Sequence, residues 1–236
     1  MRLGVAWVLA VLAAGSKAGA LEEFSEKLAE RIPGLEVKSV SDSPVPGLVE
    51  VITQGDETLY ITQDAKHFLV GDLFRFELGK MLNLSEEKRK AGRAEQLSRL
   101  PQKDFLVFAP KETKATINVF TDIDCFYCRK LHQEIGQLNA YGIRVNYLAY
   151  PREGIGSESY QKAVSAWCAE NPQLALTQAK SGKEIPRKDC ENPVADQYLL
   201  GQKLGVTGTP AIILESGDII RGYVPADKLA ESLGLL

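Results

Sequence analysis

The sequence predicts an α+β chain made of two unlike units joined by a charged helix, and three observations carry that reading. Residues 35–76 are short extended runs behind one amphipathic helix. Ser85 to Leu100 is rich in charge and lacks aromatics. From Thr116 onward strand and helix patterns alternate. With 236 residues, 44% of them hydrophobic, the chain is long enough to bury a substantial core. Lys+Arg 28 against Asp+Glu 31 gives a net charge of -3. That balance lacks the basic field that draws proteins to phosphate backbones, so no nucleic-acid partner is expected.

The first twenty residues read as an export address. Met1 and Arg2 give a positive start, Leu3 to Gly15 carries no charge, and Ala18-Gly19-Ala20 presents the small residues of a cleavage site. The uncharged run is shorter than the roughly 20 apolar residues a membrane span needs. Cleavage is expected after about Ala20, so residues 1–20 are a signal peptide. Export places the cysteines where disulfides persist.

Leu21, Phe24, Leu28 and Ile32 then recur at helical spacing until Pro33-Gly34 stops the helix. Extended runs follow at Leu35 to Val40, Leu48 to Thr53, Thr58 to Thr62 and His67 to Phe76. They are broken by Pro44-x-Pro46, Gly55-Asp56 and Asp64-Ala65-Lys66. A unit this small, residues 21–80, buries a thin core and leaves an edge strand that invites a second copy, so a homodimer is expected. Residues 81–100 form the connecting helix. Its mixture of Glu with Lys and Arg argues for a solvated helix rather than a basic membrane-surface one.

Residues 101–236 make the second domain. Thr116 to Phe120 is a strand, a helix starts near Cys125 and runs to Ala140, and Arg144 to Tyr150 is the next strand. Helical stretches follow at Ser157 to Glu170, Pro172 to Ser181 and Pro193 to Leu204. Ala211 to Leu214 and Ile219 to Tyr223 form a hairpin around Ser216-Gly217-Asp218, and Ala226 to Leu236 closes as a helix. The order βαβ, helical insertion, ββα needs a mixed sheet with helices on both faces.

Cys125-Phe126-Tyr127-Cys128 sits where a strand passes into a helix. Unpaired backbone N–H groups and the positive end of the helix dipole favour a thiolate there, making Cys125 the expected nucleophile. Cys128, one turn on, is placed to attack a mixed disulfide formed at Cys125. A zinc site would need a second close pair, but Cys168 and Cys190 are far apart and the histidines are His67 and His132. Haem attachment needs His after the second Cys, where this chain has Arg129. No metal and no cofactor is therefore expected. Cys168 follows Trp167 on an apolar helix, and a bridge to Cys190 would tie down the insertion; a redox-regulatory pair is the alternative. Thr209-Pro210, at the mouth of the Ala211 to Leu214 strand, can adopt the cis form and open backbone for an extended peptide.

The residues Phe120 to His132, the Trp167-Cys168 and Cys190 pair, and Gly205 to Ala211 resemble the thiol:disulfide interchange proteins of the DsbC type, with Leu59 to Thr62 and Lys66-His67 extending the likeness. The resemblance implies a cystatin-like amino-terminal dimerisation domain, a linker helix and a thioredoxin-like catalytic domain with a helical insertion. It implies a periplasmic homodimer that isomerises wrong disulfides in misfolded exported proteins, holds clients as a chaperone does, and is kept reduced by a membrane thiol reductase of the DsbD type. Catalysis falls to Cys125 and Cys128, client binding to Thr209, Pro210, Phe126 and Tyr127, and the structural disulfide to Cys168 and Cys190. One position departs: the family's isomerases carry Gly-Tyr between the active cysteines and the DsbG type Pro-Tyr, whereas this chain has Phe126-Tyr127.

Other residues admit plainer readings. Asp122 and Asp124 either tune the cysteines or cap the helix, the cap being the commoner role. His132 is read as a surface histidine, and Phe126 as either a client contact or local packing. Three functions share these features: an isomerase, a net oxidase or sulfenic-acid reductase using the same two sulfurs, and a DsbG-like chaperone whose apolar cleft does the main work.

Overall fold

The structure is a computed structural model that describes residues 8–54 and 57–236, with side chains from residue 19 onward. Residues 1–7 of the expected signal peptide and the expected break at Gly55-Asp56 lie outside the described residues. The chain divides between Ser85 and Glu86 into two compact units.

In the first unit, helix α1 (Val8–Arg31) covers an antiparallel sheet of β1 (Val37–Asp42), β2 (Leu48–Thr53), β3 (Thr58–Thr62) and β4 (Phe68–Val70), in that order. The helical spacing of Phe24 and Leu28 presses them onto Val49, Val51, Leu59 and Ile61. This core is small. The run expected from His67 to Phe76 is not one strand: it breaks at Gly71, whose φ of 148° few side chains tolerate. Beyond the break, β5 (Phe74–Glu77) pairs with β6 (Lys80–Asn83), a strand the hydrophobic pattern did not reveal. Leu78 and Gly79 both take positive φ at the turn, the geometry that suits a tight hairpin. The edge strand β4 exposes Phe68, Leu69 and Val70, and the hairpin exposes Phe76, Leu78 and Met81.

Helix α2 (Leu84–Ser98) is the connecting helix, and from Glu86 on it belongs to the second unit. It is not solvated all round. Arg93 is 4% exposed and donates from Nε to the Gly217 carbonyl at 2.7 Å, Lys90 pairs with Asp218 at 2.8 Å, and Leu97 is buried. Gly217 has to be glycine: its φ is +86°, and a Cβ there would lie 1.9 Å from the Lys90 carbonyl oxygen.

The second unit is built on a five-stranded mixed sheet. Its strands are β7 (Leu106–Phe108), β8 (Ala115–Thr121), β9 (Ile143–Ala149), β10 (Ala211–Leu214) and β11 (Ile219–Arg221), ordered β11-β10-β8-β9-β7. Only the β8 and β9 pair is parallel within it, as the βαβ order requires. The two-residue strand period sorts side chains to opposite faces. Ile117, Val119, Val145 and Tyr147 enter one core with Leu131, Leu138, Leu176 and Leu229, while Phe120, Leu148 and Ile213 enter another with Leu97 and Leu204. Helices α3 (Phe126–Gln133) and α4 (Ile135–Ala140) replace the single helix expected to run to Ala140. The break falls at Glu134, whose carboxylate is held by the Tyr223 hydroxyl and by the Ala226 N–H at 2.8 Å. The insertion consists of α5 (Glu158–Trp167), α6 (Pro172–Lys180) and α7 (Val194–Lys203), and α8 (Ala226–Ser232) closes the chain.

Candidate active site

Strand β8 ends at Thr121, the chain turns through Asp122 to Asp124, and Cys125 is the amino-terminal cap residue of α3. No side chain caps that terminus, and the Cys128 N–H hydrogen-bonds toward the sulfur of Cys125. Asp122 and Asp124, read as caps, instead brace the turn. Buried Asp122 accepts from the Asp124 N–H at 2.8 Å and from the N–H and Nε of Arg152, each at 3.0 Å. Asp124 pairs with Arg129 at 3.0 Å and Lys162 at 3.1 Å.

Both active-site cysteines are free and buried, and their thiols differ sharply. Cys125 is lowered to about 5 by hydrogen bonding from the Cys128 side chain foremost and from the Cys128 N–H, with the charge of Arg152 adding to them against the cost of burial. Cys128 is driven well above the ordinary thiol range by burial and by its hydrogen bond to Cys125. One sulfur is a thiolate at neutral pH and the other a thiol. The Cys125 sulfur lies 3.3 Å from the Thr209 carbonyl oxygen, and the Thr209-Pro210 bond is cis. Thus β8, α3 and the loop before β10 meet at Cys125.

Phe126 and Tyr127 point outward, 72% and 54% exposed. Their rings meet edge to face at 5.3 Å, Tyr127 stacks on Tyr223 at 6.3 Å, and Lys130 lies 4.5 Å above the Tyr223 ring. The outcome is an aromatic ledge beside the thiolate. Tyr223 escapes a sequence reading because only the loop between β11 and α8 brings it there.

Cys168, at the carboxyl end of α5, is disulfide-bonded to Cys190 with a Cα–Cα distance of 5.7 Å. His132 is not a surface residue. It is 8% exposed, shares hydrogen bonds with the Tyr147 hydroxyl at 3.2 Å and the Thr177 hydroxyl at 3.0 Å, and is lowered to about 3 by burial first and by the charge of Lys180 second. Lys180 itself escaped the sequence reading. The signal was present, since Leu176, Ala179 and Lys180 share one helical face.

A thioredoxin-like sheet with a thiolate–thiol pair at the start of its helix, facing a cis-proline loop, defines a thiol–disulfide oxidoreductase. Residues 102–235 match the thioredoxin-like domain family, and residues 13–86 match the disulfide bond isomerase protein N-terminal domain. The thiol:disulfide interchange protein DsbC of Escherichia coli K12 is 36% identical over 200 residues, covering 85% of this chain and 82% of that one. DsbC of Salmonella typhimurium is 38% identical over 190 residues, covering 80% and 78%. A disulfide interchange protein from Neisseria gonorrhoeae shares the fold, with a TM-score of 0.51 at 24% identity over 56% of this chain and 97% of that one. The chain belongs to the DsbC family and is an enzyme of the disulfide-isomerase type.

Proposed function

We propose that this chain rearranges incorrect disulfides in exported proteins, with Cys125 as the attacking thiolate and Cys128 as the resolving thiol. The opposite displacement of the two thiols carries this reading. At neutral pH the Cys125 thiolate attacks one sulfur of a client disulfide, forms a mixed disulfide and expels the other client sulfur as a thiolate. A different client thiolate then attacks the client sulfur of the mixed disulfide, forming a new client disulfide and expelling Cys125 as a thiolate, or Cys128 attacks Sγ of Cys125, forming the Cys125–Cys128 disulfide and releasing the client reduced. Thr209 and Pro210 receive the client's extended backbone beside the reacting sulfur, while Phe126 and Tyr127 contact its apolar side chains. The Cys168–Cys190 bridge is structural and anchors the insertion. A membrane thiol reductase of the DsbD type returns the Cys125–Cys128 pair to the dithiol.

Residues 1–20 direct export to the periplasm and are removed after about Ala20. Among the described residues no helix is long and apolar enough to cross a membrane. Residues 21–80 are the dimerisation domain, 81–100 the linker and 101–236 the catalytic domain. The exposed apolar edge strand β4 supports pairing with a second copy. Dimerisation sets two catalytic domains on one client, and a held client has time to try another pairing.

Refolding of a scrambled multi-disulfide substrate tests this function. The mature chain is expected to sediment as a dimer and restore substrate activity; Leu69→Lys in β4 is expected to sediment as a monomer that still exchanges small disulfides and has lost most isomerase activity. A monomeric mature chain with full isomerase activity would overturn the dimeric mechanism.

A further inference from the structure

Lys180 is a buried ammonium, 3% exposed on α6, and it pairs with no carboxylate among the described residues. Its Nζ donates to the Thr121 hydroxyl oxygen at 2.7 Å and to the Asp122 carbonyl at 3.3 Å, and lies 5.5 Å from the centre of the Tyr147 ring. A buried cation without an anion is costly to fold around. Thr121, its closest partner, also hydrogen-bonds in favour of the Cys128 thiolate. Of the negative charges that act on Lys180, those of Cys128, Asp122 and Cys125, the one on Cys128 arises only during the reaction. The other side of Lys180 lines a cavity of about 390 Å³, together with Phe108, Arg129, His132, Thr177 and Ser181.

We propose that Lys180, acting through the Thr121 hydroxyl, takes the proton that Cys128 must lose to resolve the mixed disulfide, and returns it to solvent through this cavity. The inference rests on the assignment of Cys125 as attacking and Cys128 as resolving sulfur. As the Cys128 S–H proton passes to Thr121 Oγ1, the Thr121 hydroxyl proton passes to neutral Lys180. The Cys128 thiolate then attacks Sγ of Cys125, forming the Cys125–Cys128 disulfide as the bond from Sγ of Cys125 to the client sulfur breaks and the client leaves as a thiolate. The cysteine pair is oxidised and the client reduced.

The surroundings suit a proton acceptor. Burial lowers Lys180 to about 8, against the opposing pull of Cys128, Asp122 and Cys125 and with Arg129 adding to the lowering, so a fraction is neutral at physiological pH. His132, packed on the same side, is held neutral and is no rival for the proton in this pH range. The Tyr147 hydroxyl, also buried, is pushed well above its ordinary value and keeps its proton. The order of events also fits. Once Cys125 is bound in a mixed disulfide it no longer offers its thiolate charge, and Lys180 faces Asp122 and the anion forming on Cys128.

Reduced mature protein mixed with the disulfide dithiobis-nitrobenzoate reads both steps, because attack by Cys125 releases one coloured thiolate and attack by Cys128 releases the second. In the wild type the second release is expected to accelerate with pH through an inflection near pH 8. Lys180→Met, of similar volume and uncharged, is expected to leave the first release within about twofold, slow the second about tenfold and abolish the inflection. Thr121→Val is expected to slow the second release in the same way while Lys180 stays in place. A Lys180→Met protein that keeps the second rate and its pH profile overturns the proposal, as does equal slowing of both releases. Should Lys180→Met not fold, a wild-type second release without the inflection, or an unaffected Thr121→Val, overturns it instead. A first adduct mapped to Cys128 rather than Cys125 refutes the assignment of the two sulfurs, and is distinguishable from failure of the relay because the first release itself changes site.

Discussion

Cys125 and Cys128 open a helix, whereas Cys168 closes one and is bonded to Cys190 in the loop beyond α6. At the opening of α3 the Cys128 side chain, the Cys128 N–H and the charge of Arg152 collect around one sulfur and hold it as a thiolate. At the carboxyl end of α5 the backbone presents carbonyl oxygens, which oppose a thiolate but are indifferent to a neutral disulfide. Two pairs of the same residue type are thus sorted by which end of a helix they occupy. The difference teaches that reactivity here belongs to what surrounds the sulfur and not to the residue type.

The largest effect comes from replacing each pair in turn. Cys125→Ser is expected to abolish exchange, a loss of roughly a thousandfold or more in turnover of a disulfide substrate, since a hydroxyl at this position has no comparable anion. The Cys168→Ser, Cys190→Ser double variant is expected to retain exchange within a few-fold. A double variant as inactive as Cys125→Ser would break the comparison.

Alkylation measures the same contrast within the active pair. Iodoacetamide is expected to label Cys125 in the reduced protein with a rate whose midpoint lies near pH 5, and to leave Cys128 unlabelled at neutral pH. The linked stability follows in sign: Cys125 is lowered in the folded state, so the reduced protein gains stability as pH rises from about 5 toward the free thiol value near 9, and loses it as pH falls back through 5. Blocking Cys125 with iodoacetamide removes that slope. A reduced protein with flat stability across this window would show that the thiolate is not held by the fold.

Sequence legibility follows the same division between local and distant causes. The reactive motif, the helix behind it and the strands β2, β3 and β10 were readable because adjacent residues determine them. The expected bounds Leu48 to Thr53, Thr58 to Thr62 and Ala211 to Leu214 coincide with the observed strands. What was not legible depends on partners far along the chain. His132 is buried because Thr177, on α6, reaches its ring, and helix α3 ends early because Tyr223 and Ala226 hold Glu134. Strand β7 is short and mixed in pattern, and it exists because β9 offers it an edge. Lys180 was hidden by the expectation that lysine faces water, although its spacing from Leu176 placed it inward.

Stability separates the pairs by a smaller amount. Closing the loop between Cys168 and Cys190, 22 residues apart, stabilises the fold by about 3 kcal/mol in the chain-entropy picture. Urea denaturation of the double serine variant is expected to show a loss of that order, whereas Cys128→Ser, which closes no loop in the reduced protein, is expected to lose less.

Acid stability probes the wall behind the active pair. His132 is lowered to about 3 in the fold against an ordinary value of 6.5, so the unfolded chain binds a proton that the folded chain refuses as pH drops below 6.5. Stability is therefore lost as pH falls, by about 2 kcal/mol at pH 5 from this group alone. His132→Gln retains a hydrogen-bonding side chain without the titration, and its denaturation midpoint is expected to change less than the wild type's between pH 7 and pH 5. Parallel pH profiles for the two proteins would show that His132 is not kept neutral.

The smallest effect concerns Phe126, which lies inside the reactive pair yet contributes to none of the interactions that lower Cys125. Its ring is 72% exposed and touches Tyr127, so it is available to a client without being needed by the thiolate. Burying part of an exposed aromatic ring against an apolar client side chain is worth about 1 kcal/mol, or roughly fivefold in affinity. Phe126→Ala is accordingly expected to weaken mixed-disulfide formation with an apolar cysteine peptide about fivefold, to leave a polar peptide of the same length unaffected, and to leave iodoacetamide labelling of Cys125 unchanged. If labelling changes instead, the ring tunes the thiol. If neither peptide responds, the ledge is no client surface. An apolar-selective loss would place recognition on the exposed ring of Phe126 and thiolate stabilisation on Cys128, two functions within one motif that can be altered separately.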